Sequence, residues 1–156
     1  MNDYTRRGEV LPMTTTISIA EFRKDMRKLL EMALSGREVI CFDAKSRDRE
    51  TCSFIKTGLL QDILKAYSFK PVVFLDDETM THNIHLDELK LYAYADTVEE
   101  ATEQLIDLVI DYISDYIDRL GLFLNVPDRK EQYPYVLRIS HCQNRDEIKR
   151  LLFGSN

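Results

Sequence analysis

The chain of 156 residues has no tryptophan, five glycines, four prolines and three cysteines. No apolar run approaches the roughly 20 residues that a membrane span needs. The opening MNDYTRRGEVLPMTTT carries an Arg pair with no apolar stretch behind it, so it does not read as a secretory signal. A cytoplasmic protein with no membrane partner is therefore expected. Cys41, Cys52 and Cys142 are odd in number and widely spaced, which excludes a disulfide framework. Each lies in an apolar segment, where a reduced thiol packs as a small hydrophobe. With so few glycines and neither a G-x-G-x-x-G nor a P-loop pattern, a phosphate cradle is not expected.

The residues that could do chemistry are sparse. His82 and His85 form an H-x-x-H pair and His141-Cys142 lies far along the chain, but a zinc site wants three or four converging ligands. Asp76, Asp77 and Glu78 are adjacent, and neighbours in sequence do not converge easily on one reacting atom, so they read as a solvated turn. There is no G-x-S-x-G elbow and no papain-like cysteine context. The chain is expected to be no enzyme, without metal or cofactor; a hydrolase using His82 or His85 with Asp76 is the remaining enzymatic option.

Basic residues are missing altogether between Lys90 and Arg119. Residues 1–70 hold 13 basic and 10 acidic side chains, whereas residues 71–156 hold 8 and 17. The net charge of −6 thus hides a basic first half and an acidic second half. Such opposed halves point either to two partners of opposite charge or to two solvated surfaces.

Periodicity gives an α+β chain in two parts. Residues 1–12 read as a flexible lead-in. Met13 to Ile17 suits a short strand, and Ser18 with Glu21 has capping-box spacing at a helix start. Ile19, Phe22, Met26, Leu29, Leu30 and Ala33 follow at helical spacing, and Gly36 suits a left-handed cap. Glu38 to Phe42 and Thr51 to Lys56 read as a hairpin around a charged tip, and Leu59 to Tyr67 as a short helix. Residues 13–70 therefore form a small β-α-β-β-α unit. Pro71 disfavours helix at the residue before it and marks a boundary. In residues 71–156, Val72 to Leu75 and Leu89 to Tyr94 suit strands, while Thr79 to Leu86 is ambiguous. Thr97 or Asp96 caps the longest helix, with an apolar stripe from Val98 to Leu120. Leu122 to Pro134 reads as loop, Tyr135 to Ile139 as a strand, and Asn144 to Phe153 as a last helix. A small sheet packed by one long helix is the expected second unit.

Two charge patterns carry most information. Arg23, Lys24, Arg27 and Lys28 lie off the apolar face of the first helix, preceded by Arg6 and Arg7, with Arg47 and Arg49 at the hairpin tip. Cations placed this way can neutralise phosphates and position a protein on DNA, with hydroxyls of the Thr14–Thr16 run beside them. The other reading is a solvated helix face, partly offset by Asp25 and Glu31. On the long helix, Glu99, Glu103, Asp107, Asp111 and Asp115 recur every four residues, joined by Glu100 and Asp118. Like charges at this spacing repel, which fits a face shaped for a basic partner or a strongly solvated one.

The segment from TTTISIAEFRKD to KTGLLQDIL resembles the Phd/YefM antitoxin domain of type II toxin–antitoxin systems. Ile17, Ser18, Glu21, Arg23, Leu29, Leu30, Gly36, Val39, Ile40, Phe54, Ile55 and Leu59 match its pattern. The hairpin tip DAKSRDRE departs from it in having no glycine. The resemblance implies a homodimer that binds its own operator, with Thr15, Thr16, Ser18, Arg23 and Arg27 facing DNA; Lys24 joins them on charge. The stretch LKLYAYADTVEEATEQLIDLVIDYISDYI is similar to the strand–helix unit of RelB- and HicB-like antitoxins. Together the two imply a basic RelE-like ribonuclease toxin as partner, masked through Glu99, Glu103, Asp107, Asp111 and Asp115. The alternative is a small-molecule-binding or adaptor protein with no DNA role, its pocket lined by Tyr92, Tyr94, Tyr112 and Tyr116 between sheet and helix.

Overall fold

The computed structural model describes residues 13–48 and 50–154. The expected lead-in over residues 1–12, with Arg6 and Arg7, and the tip residue Arg49 lie outside the described residues. The described residues form two compact units, divided after residue 63, of the α+β class.

The first unit runs β1 (Thr14–Ser18), α1 (Ile19–Leu34), β2 (Glu38–Phe42), β3 (Thr51–Phe54) and α2 (Thr57–Leu64). Its sheet has the order β1-β2-β3, with β1 parallel to β2 and β2 antiparallel to β3. Helix α1 is the crossover that the parallel pair requires. The expected capping box is present: the Ser18 hydroxyl accepts from the Glu21 amide at 3.3 Å, and the Glu21 carboxylate accepts from the Ser18 amide at 2.9 Å. These bonds hold the Glu21 carboxyl below its ordinary range, the backbone bond contributing most. Gly36 ends the helix at φ +100°, a conformation that side chains with a Cβ rarely adopt. Val39 of β2 points inward to Leu29 and Ala33, with Ile17, Phe22, Met32 and Phe54 around them, and Cys41, two residues on, is buried as well. Phe22 and Phe54 stack with ring centroids 4.8 Å apart. Of the expected apolar face of α1, only Leu29 and Ala33 are buried and Phe22 is half-buried; Ile19, Met26 and Leu30 are exposed, as is Leu34 beyond it. A three-stranded sheet is too narrow to cover the whole stripe.

The second unit is a meander of β4 (Val72–Asp76), β5 (Thr81–Leu86) and β6 (Leu91–Ala95), followed by α3 (Val98–Asp118), α4 (Leu120–Phe123), α5 (Pro127–Glu131), α6 (Tyr133–Ser140) and α7 (Arg145–Phe153). Met80 and Lys90 take positive φ in the two hairpin turns, and Asp76 Oδ1 accepts the amides of Glu78 and Thr79 at 2.9 and 3.3 Å. Thr97 caps α3, accepting from the Glu100 amide at 3.2 Å. Helix α3 packs on β5 and β6, where Leu105, Ile106, Val109 and Tyr116 meet Ile84, Leu86 and Ala93 in one core. At about 25 cal/mol per Å² of apolar surface removed from water, this cluster dominates the unit's stability.

Two expectations for this unit need correction. Tyr135 to Ile139 is not a strand but part of α6; Pro134 sits in its first turn, where a missing amide costs nothing, and Val136 and Ile139 meet the core at helical spacing. The segment Leu122 to Pro134 is not an open loop but contains the second half of α4, all of α5 and the start of α6. Those turns are held by Tyr116, whose hydroxyl donates to the Arg129 carbonyl at 2.6 Å, and by Arg129, whose Nη1 donates to the Tyr112 hydroxyl at 2.6 Å.

Candidate nucleic-acid and partner-protein surfaces

In the first unit, α1 brings its cations to the surface. Arg23, Lys24, Arg27 and Lys28 are all exposed. Arg27 pairs with Glu31 at 3.1 Å, both largely in solvent, and such pairs hold a side chain only weakly. Among the described residues Arg23, Lys24 and Lys28 form no ion pair. Arg23 opens onto a cleft of about 350 Å³ at the start of the helix, shared with Ser18, Ile19, Ala20, Asp43, Ala44 and Lys45. Lys45, from the hairpin tip, was not picked out by sequence; its approach to Arg23 follows from the turn, where its amide donates to Asp43 Oδ1 at 2.9 Å. The helix start and two cations favour an anion here, opposed by Asp43 and by the Glu21 carboxylate, which already takes the Ser18 amide.

The remaining expected DNA residues divide. Thr16 is exposed on β1 and Thr15 is half-buried. The Ser18 hydroxyl is already engaged, donating to Glu21 Oε2 at 2.8 Å as well as accepting from its amide. Ser18 is therefore a structural cap whose loss would act through the helix.

In the second unit the acidic stripe of α3 is partly neutralised from within. Arg145 Nη2 donates to Glu103 Oε2 at 2.8 Å and Lys149 Nζ to Glu103 Oε1 at 2.8 Å, while Arg145 Nη1 reaches Asp107 Oδ1. The Lys149 and Arg145 bonds hold the Glu103 carboxyl below its ordinary range; those of Asp107 and Glu103 raise Arg145 further. Asp115 pairs with Arg119 at 2.9 Å. Glu99 and Asp111 stay exposed without an ion pair among the described residues. Sequence could not show the α7 clamp, because Arg145 lies 42 positions from Glu103.

The tyrosine pocket does not form. Tyr92 and Tyr94 lie on the outer face of the sheet, exposed, whereas Tyr112 and Tyr116 turn to α5 and α6. The alternation that buries Ala93 and Ala95 under α3 sends both β6 tyrosines the other way. His82 and His85 likewise fall on opposite faces of β5, because three residues along a strand reverse the side. Instead, a cleft of about 630 Å³ is lined by Tyr67, Asp87, Glu88, Lys90, Asp128, Glu131, Gln132 and Tyr135.

A family model for antitoxins of toxin–antitoxin systems, described as PHD-like and RelE/RelB, matches residues 13–154. The chain belongs to this antitoxin family. The fold of the antitoxin is similar to a crystal structure from Syntrophomonas wolfei subsp. wolfei, described as the antitoxin part of a candidate toxin/antitoxin system. The TM-score is 0.72 at 22% identity, over 89% of this chain and 96% of that one. No curated protein matches the chain. No helix among the described residues is long and apolar enough to cross a membrane.

Proposed function

We propose that this antitoxin is a cytoplasmic regulator, and no enzyme, with two tasks. Its first unit, of Phd/YefM type, pairs as a homodimer and binds operator DNA of its own operon. Its second unit, of RelB/HicB-like type, masks a basic RelE-like ribonuclease toxin. The observation that carries the DNA reading is the basic side of α1, where Arg23, Lys24 and Lys28 are exposed without an acidic partner among the described residues and Arg23 shares a cleft with Lys45. Exposed Met26, Leu30 and Leu34 on the same helix supply an apolar stripe for pairing. For the toxin, the charge left to a basic partner is concentrated on Glu99 and Asp111, since Glu103, Asp107 and Asp115 have partners within the chain. Charge of this kind speeds encounter more than it tightens binding.

The test is binding to DNA from upstream of its own gene, at two salt concentrations, for the wild type and Arg23→Ala/Lys24→Ala. Sequence-preferring binding is expected whose affinity falls with salt. The double variant should bind more weakly, with a salt slope for the dimer shallower by about 3.6, near 0.9 for each of the four phosphates left without its cation. Equal binding by both proteins would remove α1 as the DNA-facing element.

A further inference from the structure

Strand β4 is one of the two edges of the second sheet, paired with β5 on one side only. Its four apolar residues are all exposed: Val72 52%, Val73 44%, Phe74 41% and Leu75 43%. Register places Val73 and Leu75 on the face that carries Ile84, and Val72 and Phe74 on the face that carries His85 and Tyr92. Helix α3 packs over β5 and β6, so β4 is left half-exposed, with Phe74 resting edge-on against His85 at 4.9 Å on the other face and the free edge unpaired. Natural edge strands usually carry a charge or a bulge in mid-strand to prevent pairing. Between Lys70 and Asp76 this one carries neither charge nor bulge, only Pro71 ahead of its start.

We propose that β4 pairs antiparallel with β4 of a second copy, joining two three-stranded sheets across a two-fold axis at Val73. Directly opposed residues in an antiparallel pair share a face, so a continuous sheet allows only registers that match residues of equal parity. Centred on Val73, the register sets Val72 against the partner's Phe74, Leu75 against the partner's Pro71, and Lys70 against the partner's Asp76. The two-fold axis repeats each pair, so both ends of the joint are closed by opposite charges. Centring on Phe74 would instead set the Asp76 carboxylate against the partner's Val72. Centring on Val72 would set Lys70 against the partner's Phe74. A basic protein laid on this edge would meet no carboxylate between Lys70 and Asp76, whereas a second copy meets complementary chemistry at every position. This interface is separate from pairing through the first unit.

The experiment is sedimentation equilibrium on the full chain for the wild type, Val73→Lys, Lys70→Glu and Tyr94→Lys. Val73→Lys brings two cations together at the axis and should lower the wild-type mass, to that of the first-unit dimer if that unit also pairs and otherwise from dimer to monomer. Lys70→Glu changes an exposed side chain, and because the Lys70 amide donates to Glu88 at 2.9 Å its fold is checked by circular dichroism. It should raise the dissociation constant about tenfold at low salt, from two new like-charge contacts, and by less at 1 M salt. Tyr94→Lys, on β6, should leave the mass unchanged. A wild-type mass shared by folded Val73→Lys and by Lys70→Glu would overturn the proposal. So would unchanged mass with lost binding to a toxin, which would give the edge to that partner.

Discussion

Arg145, the first residue of α7, holds two carboxylates of α3 at once, Glu103 at 2.8 Å and Asp107 one turn further on. Lys149, one turn along α7, takes the second oxygen of Glu103 at 2.8 Å. A helix that would otherwise bear an unbroken acidic ladder is thus braced by a later helix. Arg145→Ala should lower the melting temperature, because it leaves Glu103 and Asp107 repelling each other and their neighbours. Arg145→Lys should recover part of the loss, as an ammonium cannot reproduce the forked contact. Added salt should narrow the gap to wild type, and thermal denaturation followed by circular dichroism reads all three.

The same clamp predicts a pH dependence. The Glu103 carboxyl is held below the 4.5 of an unpaired glutamate. A carboxylate lowered by folding contributes stability above its unfolded value and loses it as pH falls through its folded one. Wild type should therefore exceed Glu103→Gln in stability at pH 7, and the difference should vanish as the solution is taken below that range. A difference that grows on acidification would contradict the clamp.

Leu105 and Ile106 are fully buried beneath the sheet, while Ile117 on the same helix is 53% exposed. Leu105→Ala should cost about 2–5 kcal/mol, and Ile117→Ala within about 0.5 kcal/mol, in urea unfolding. Comparable losses would mean that α3 is rotated from the orientation described.

Gly36 sits at φ +100°, and a Cβ added there would lie 3.6 Å from Leu59 Cδ1, an ordinary contact. The cost of Gly36→Ala is therefore backbone strain, about 1–2 kcal/mol, and trimming Leu59 should not relieve it. Double-mutant analysis by urea unfolding checks this: strong coupling between the two changes would show that contact, not strain, sets the cost.

The first unit was legible because its signals are local. Ser18 and Glu21 mark a helix start three residues apart, and Gly36 marks its end. The second unit was less so. Tyr135 to Ile139 is rich in β-branched and aromatic residues, yet packing against α3 makes it helical; Pro134 and the Val136–Ile139 spacing are the signs of it in the sequence. The acidic ladder was visible, but its bracing cations lie in α7, where only the fold brings them near. The four tyrosines are expected around one pocket, but strand parity turns Tyr92 and Tyr94 away from the helix that carries Tyr112 and Tyr116. The bare edge of β4 could not be foreseen, since an apolar run of strand length reads the same whether covered or open.

The most direct test of the antitoxin account is to titrate the full chain into the basic protein encoded by the reading frame adjoining its own, and to follow cleavage of RNA. The account predicts inhibition that is complete at a fixed stoichiometry, with association slowed by salt and by Glu99→Gln/Asp111→Asn. RNA cleavage undiminished by an excess of the chain, with no complex in sedimentation, would contradict it.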